Sequence, residues 1–423
     1  MMDFLTLPDA PRLTLADVTV PGCLIGRSES LVRTDLTIAE GRIATGQGTR
    51  VEMKGAMVMP CFLDMHTHLD KGHIWPRAPN PDGTFFGALE TVGADRAARW
   101  TARDVRRRME FSLKSAYAHG TRAIRTHLDS IAPQDAISFP VFSDLRAEWA
   151  GRIDLQAVCL IGAGDFSTDG AFRRTADIVA EHRGVLGMVT YPLPDIGTRI
   201  RAFLAMAAER GLGADFHVDE TLDVTSNTLR EIALAVIETG FDAPVVVGHC
   251  CSVSAMAEAE AMTTLDLVAK GGLNVVSLPM CNLYLQDRQA GRTPRMRGIT
   301  LVHEMRARGI NVSFASDNTR DPFYAYGDMD MLEVMREATR IGHLDHSRPD
   351  WLEACLANPA RACGFAVPSL APGAPADLVI FRAREWTELF SRPQSDRIVL
   401  RAGKAIDRTL PDYAELDDLM RTA

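Results

Sequence analysis

The 423-residue sequence contains no run of about 18–20 apolar residues, the length a bilayer-spanning helix needs. No basic stretch precedes an apolar one at the start, so a signal peptide is not expected either. There is no block of like charge. Lys and Arg total 46 against 55 Asp and Glu, a formal net charge of −9, which gives no electrostatic reason to bind nucleic acid or an anionic membrane. The eight cysteines form no C-x-x-C pair, which sets aside a four-cysteine zinc site; most sit in apolar runs, as reduced, buried thiols of a cytoplasmic protein do. No glycine-rich phosphate loop follows an apolar run, which argues against a doubly wound nucleotide-binding sheet. Internal repeats and low-complexity segments are also missing.

What is present is an ordinary globular composition, 46% hydrophobic and 24% charged, long enough for a large domain with a smaller companion. Both ends read as short strands between turns: Leu13–Val20, Leu31–Ile38, Arg42–Ala44 and Val51–Met53, then Asp377–Phe381 and Arg397–Leu400. The termini are therefore expected to meet in a small β-sandwich built from residues 1–58 and 366–423. Between them, eight strand-like runs alternate with helical stretches: Ala56–Met65, Arg122–Thr126, Asp154–Ile161, Val185–Tyr191, Ala214–Val218, Pro244–His249, Leu273–Leu278 and Asn311–Ala315. Thr101–His119 is the clearest helix, opened by Thr101 with Asp104 three residues on and closed by Gly120. This alternation predicts an α/β fold, a (β/α)₈ TIM-like barrel over residues 59–365.

Barrel enzymes place their chemistry at the C-terminal ends of the strands. His66 and His68 end the first run; residues two apart on a strand point to one side, so the pair presents two nitrogens to one point, half of a zinc or iron site. His217 ends the fifth run with Glu220 three residues later, His249 ends the sixth, and Asp317 follows the eighth. Each alone has a plain structural reading, as a capping aspartate, a satisfied histidine or a solvated glutamate. Their recurrence at strand ends favours a site. His119, His182, His303, His343 and His346 fall in helices or loops and read as surface or packing residues. His73 is less clear, His127 reads as structural or as support behind the site, and Lys71 as either a substrate contact or a partner of Asp70.

The segments HTHLD, HVDE, GTFFGALE, NLYLQDR, RGIT and SDNTRDPFYAYGDMDML, with a late PADLVIF, resemble the amidohydrolase superfamily and within it the bacterial cytosine deaminases, over nearly the whole chain. That resemblance implies one divalent metal ion, zinc or iron, held by His66, His68, His217 and Asp317. It makes Glu220 the proton shuttle and has His249 orient the attacking hydroxide, with Asp317 able to accept a proton as well as ligate. No lysine at the end of the fourth run (TYPLPD) suits a carboxylated bridge, which favours one metal over two. Gln286 and Phe323 stand where the family reads and stacks on its ring, and Asn318 and Lys71 complete the expected substrate contacts. Three departures stand out: Gly162 replaces a substrate-reading glutamine, Asn318 replaces a carboxylate, and Tyr284 replaces a histidine; Lys71 is similar to relatives acting on hydroxylated triazines. The implied activity is hydrolytic deamination of an amino-substituted N-heterocycle, cytosine or a related aminopyrimidine or triazine, by a cytoplasmic homo-oligomer. A cyclic-amide or carbamate hydrolase on the same scaffold is the alternative; a scaffold that has lost catalysis would lack a ligand or Glu220, and this chain retains them.

Overall fold

Strands from both ends of the chain share one sheet. In the computed structural model, which describes residues 3–347 and 350–421, these are β1 (Arg12–Pro21), β2 (Leu31–Ala39), β3 (Arg42–Ala44), β4 (Thr49–Glu52) and β5 (Met57–Pro60). Eight further strands run through the middle of the chain: β6 (Phe62–Thr67), β7 (Thr121–Asp129), β8 (Asp154–Leu160), β9 (Leu186–Thr190), β10 (Ala214–Val218), β11 (Val245–His249), β12 (Asn274–Ser277) and β13 (Asn311–Phe314). Then β14 (Leu378–Phe381), β15 (Ile398–Arg401) and β16 (Lys404–Ala405) return to the first sheet, whose order is β16-β15-β14-β5-β1-β2-β3, with β4 beside β1.

The period of two along β14 shows why this sheet is apolar on both faces. Leu378 and Ile380 join Leu15, Val18, Ile38 and Val58 in one core, whereas Val379 and Phe381 join Met57, Met59 and Val399 in the large core of the middle region. The sequence run Ala56–Met65 reads as one strand but is two. The chain breaks at Cys61; β5 pairs with β1 and β14, and β6 pairs with β7. Uninterrupted hydrophobicity hides the break because both strands are buried on both faces.

The middle strands are parallel, in sheets ordered β6-β7-β8 and β13-β12-β11-β10-β9, with helices between successive strands. Parallel bridges Val158↔Val185 and Gly162↔Val189 link the β8 side to the β9 side, and Thr67↔Asp317 links β6 to the residue after β13. Helix Ala102–His119 follows its sequence signals: Thr101 Oγ1 accepts from Asp104 N at 3.3 Å, and Gly120 ends it at φ 97°. The Asp104 carboxylate, however, turns to Arg77 and Arg108 instead of completing a capping box. No helix among the described residues is long and apolar enough to cross a membrane.

Candidate active site

Four buried side chains from three places in the chain converge on one point. His66 lies on β6 with His68 just beyond it, His217 on β10, and Asp317 after β13. His217 Nε2 is 3.1 Å from His66 Nε2 and 3.3 Å from His68 Nε2; Asp317 Oδ1 is 3.2 Å from His68 Nε2 and 3.5 Å from His66 Nε2. Separations of this size are those expected between atoms that share one metal ion. Burial, then the neighbouring histidines and Lys71, holds all three imidazoles well below their usual pKa, so they are neutral and offer lone pairs. Burial also pushes the Asp317 carboxyl up to about 7, and neither of its oxygens has a protein hydrogen bond. Such a donor set fits a divalent cation of the zinc or iron type, whose charge would offset what burial costs the carboxylate.

Local structure fixes these side chains. Asp317 turns at φ 62°, its N–H donates to His66 O at 2.9 Å, and Thr67 Oγ1 donates to Asp317 O at 2.8 Å. Asp64, two residues before His66, accepts from the Ser316 N–H at 3.1 Å and from its hydroxyl, so the first strand clamps the end of the last. Behind them, the His127 ring lies 4.0 Å from that of His66, and its Nε2 is 3.2 Å from Asp215 Oδ1. Although His127 is close enough to join His66, His68 and His217, Asp215, itself held by Arg125, engages that nitrogen.

Beside the cluster sits an acid–imidazole pair. Asp219, at φ 46°, accepts from Ser226 Oγ and Thr228 Oγ1 at 2.7 Å and from Leu229 N at 3.0 Å, fixing the turn that presents Glu220. Burial and the nearby Asp317 raise the Glu220 pKa well above its usual value, against the pull of Lys71. His249, turned at φ 67°, is held neutral by burial, its pKa lowered to about 3. Asn282 Nδ2 joins the two, 3.2 Å from Glu220 Oε1 and 3.0 Å from His249 Nδ1. By donating to Nδ1 it leaves the proton on Nε2, which is buried without a protein hydrogen-bond partner. Sequence reasoning missed Asn282, although it lies in the NLYLQDR segment after β12.

A cavity of about 800 Å³ opens over this group. Lys71, Asn318 and Phe323 line it, as do Glu220, His249 and Asp317; Gln286 does not, and is buried beyond helix Pro279–Leu285 with its amide unpartnered. Lys71 pairs with Asp129 at 3.3 Å, while Asp70 accepts from the Asp129 N–H at 2.9 Å. Asn318 Nδ2 donates to Asp321 Oδ2 at 2.7 Å. His73, buried against Phe111, is absent from the cavity wall. Asp129 and Arg96, bonded at 2.7 Å, also line the cavity and were missed; Asp129 ends β7 and carries the same strand-end signal as the residues that were found.

The sequence profile of the Amidohydrolase family matches residues 159–406. A pterin deaminase of Rhizobium rhizogenes is 51% identical over 99% of each chain, and an N-isopropylammelide isopropyl amidohydrolase of a Pseudomonas species is 25% identical over 70% of this chain and 71% of its own. The crystal structure of 5-methylcytosine deaminase from Klebsiella pneumoniae with phosphonocytosine superposes with a TM-score of 0.78 at 25% identity, covering 93% of this chain and 97% of its own. An α/β fold of the TIM-barrel type is common to these structures and this one. The protein is a metal-dependent hydrolase of C–N bonds, and its chain belongs to the amidohydrolase family.

Proposed function

We propose that this enzyme hydrolytically deaminates a pterin, a fused two-ring heterocycle with an amino group at C2 and a carbonyl at C4, converting it and water to the dioxo compound and ammonia. The observation that carries the reading is the placement of Glu220 and His249, tied by Asn282, against the four converging side chains of His66, His68, His217 and Asp317. The pterin itself is supported by the relative at 51% identity, and by a cavity of about 800 Å³ into which Gly162 projects no side chain, leaving room for a second ring.

In this reading His66, His68, His217 and Asp317 hold one zinc or iron ion, which supplies Lewis acidity that brings the pKa of water toward neutrality. Glu220 takes a proton from the attacking water and delivers it to the ring nitrogen beside the amino-bearing carbon; it then takes the second proton from the newly added hydroxyl and gives it to the departing amine, leaving the carbonyl. Its raised pKa suits a group that must both accept and give a proton near neutral pH. His249 donates from Nε2 to the attacking oxygen. Phe323 offers a ring face, with Lys71 Nζ 5.0 Å from its centroid, and Asn318 and Lys71 contact the substrate; Gln286 would need to move to do so.

The bridges at Val158, Gly162 and Thr67 support closing β6–β13 into an eight-stranded barrel. The sheet shared by β1–β5 and β14–β16 supports a terminal β-domain that meets the barrel near Cys61. Eight unbridged cysteines favour a cytoplasmic setting. The test is ammonia release by metal-loaded protein from pterin, isocytosine, cytosine and aminotriazines, with product masses. Pterin should be the best substrate, and Glu220→Gln should lower turnover about 10³-fold with metal content unchanged. A product heavier by one water without ammonia would replace deamination by ring opening.

A further inference from the structure

Asp129 and Lys71 form a charged pair on the cavity wall; the proposed function gives Lys71 a substrate contact without naming the atom it meets, and gives Asp129 no part. Both are about 5% exposed, and both line the cavity with Glu220, His249 and Phe323. Lys71 Nζ lies 3.3 Å from Asp129 Oδ1, and Arg96 Nη1 donates to Asp129 Oδ2 at 2.7 Å. Neutralising Asp129 does not require two cations, since Arg96 already does so. An ammonium carries three donors and Asp129 takes one, while a carboxylate has about four acceptor positions and these two partners use two. The pair therefore keeps a donor and an acceptor side by side at the cavity surface.

The backbone around the pair is built to hold it. The Asp129 N–H donates to Asp70 Oδ2 at 2.9 Å, and the buried Arg108 donates to the carbonyls of Asp70 and Gly72 on either side of Lys71. Phe323, facing Lys71, limits where the ammonium can move.

From this arrangement we infer that Asp129 and Lys71 read the lactam edge of the substrate, Asp129 accepting from the ring N–H beside the amino-bearing carbon and Lys71 donating to the adjacent carbonyl. The inference rests on the pterin-deamination reading for its choice of ring. Strand order supplies the orientation. Glu220 follows β10, four places from β6 and three from β7, so a ring lying between them turns its unprotonated nitrogen to Glu220 and the opposite N–H–C=O edge to Lys71 and Asp129. A 2,4-diamino ring of the same shape presents the inverted pattern, an acceptor toward Asp129 and a donor toward Lys71, and is rejected.

The experiment compares pterin with 2,4-diaminopteridine on wild-type, Lys71→Met and Asp129→Asn proteins. It measures kcat/KM for ammonia release and, separately, the binding of lumazine and 2,4-diaminopteridine through their own fluorescence. Wild type should favour pterin by at least about 100-fold, as expected where a mispaired polar edge is buried. Each variant should reduce that ratio at least tenfold, and Lys71→Met should weaken lumazine binding at least tenfold without altering metal content. Lys71→Met alone carries the test should Asp129→Asn not fold. Unchanged selectivity and lumazine binding in the variants would overturn the inference while leaving deamination standing. A wild type that releases no ammonia from pterin would overturn the functional reading instead, and the binding comparison would still decide whether the pair prefers a lactam edge.

Discussion

A single amide, Asn282 Nδ2, reaches both the Glu220 carboxylate and the His249 imidazole. Removing it frees His249 to carry its proton on either nitrogen and costs Glu220 a donor, while His66, His68, His217 and Asp317 keep their contacts. Asn282→Leu should therefore lower kcat about 100-fold, the lower range for a displaced acid–base group, while metal content by mass spectrometry stays at the wild-type value. Gly248 acts in the opposite sense. A Cβ there would lie 3.1 Å from His66 Cε1 and 3.5 Å from Phe216 O, and the His66 ring is backed by His127 at 4.0 Å. Gly248→Ala should thus push a ligand aside; bound metal should fall several-fold with the far-ultraviolet circular dichroism unchanged. A full metal complement in this variant would mean that the ring has room to yield.

At the scale of elements, the terminal sheet and the middle region are joined by a buried ion pair. Arg397, just before β15 and about 1% exposed, donates through Nη1 and Nη2 to the two oxygens of Asp330, each at 2.7 Å. Asp330 also caps helix Met331–Gly342 by accepting from Leu332 N at 3.0 Å. Burial alone would raise the Asp330 pKa, but Arg397, with His119, holds it far below the usual carboxylate range. A depressed folded-state pKa means stabilisation that is present above the unfolded value, about 3.9, and lost as pH falls below it. Arg397→Met should cost about 3–5 kcal/mol at neutral pH, because it strands a buried charge. In denaturant titrations the gap from wild type should narrow as pH falls below about 4. This contact could not be read from sequence, since Asp330 and Arg397 lie 67 positions apart and each resembles a surface charge. Most strands could, because an apolar run such as LVIF beside turn residues is a local signal; the break at Cys61, where two doubly buried strands abut, and the two-residue, exposed β16 were hidden.

At the scale of the whole molecule, strand-end histidines and acids were legible because a parallel fold sends every strand end to one side, turning separate coincidences along the chain into one cluster. Asn282 was not singled out because an amide within a helix gains its meaning only from the Glu220 and His249 side chains it reaches; Asp129 carries the strand-end signal, but the flanking Lys71 and Arg96 that give it a role come from elsewhere in the chain. A metal held at this convergence, as proposed, would also be a structural tie. His66 and His68 at β6, His217 at β10 and Asp317 after β13 draw remote strands to one point. Buried, neutral imidazoles and a carboxyl pushed up to about 7 are a set that burial disfavours and a cation stabilises. An ion that binds the folded chain and not the unfolded one adds RT ln(1 + [M]/Kd), about 4 kcal/mol at a thousandfold excess over Kd. Chelation should therefore abolish ammonia release and lower the melting temperature by several degrees, and zinc or iron should restore both. In Asp317→Ala, which loses the carboxylate and the reason for the charge, the melting temperature should no longer respond to chelator. A wild-type melting temperature equally indifferent to chelator, with activity lost, would show that the ion serves the chemistry while the clamp at Asp64, Ser316 and Thr67 already holds the strands.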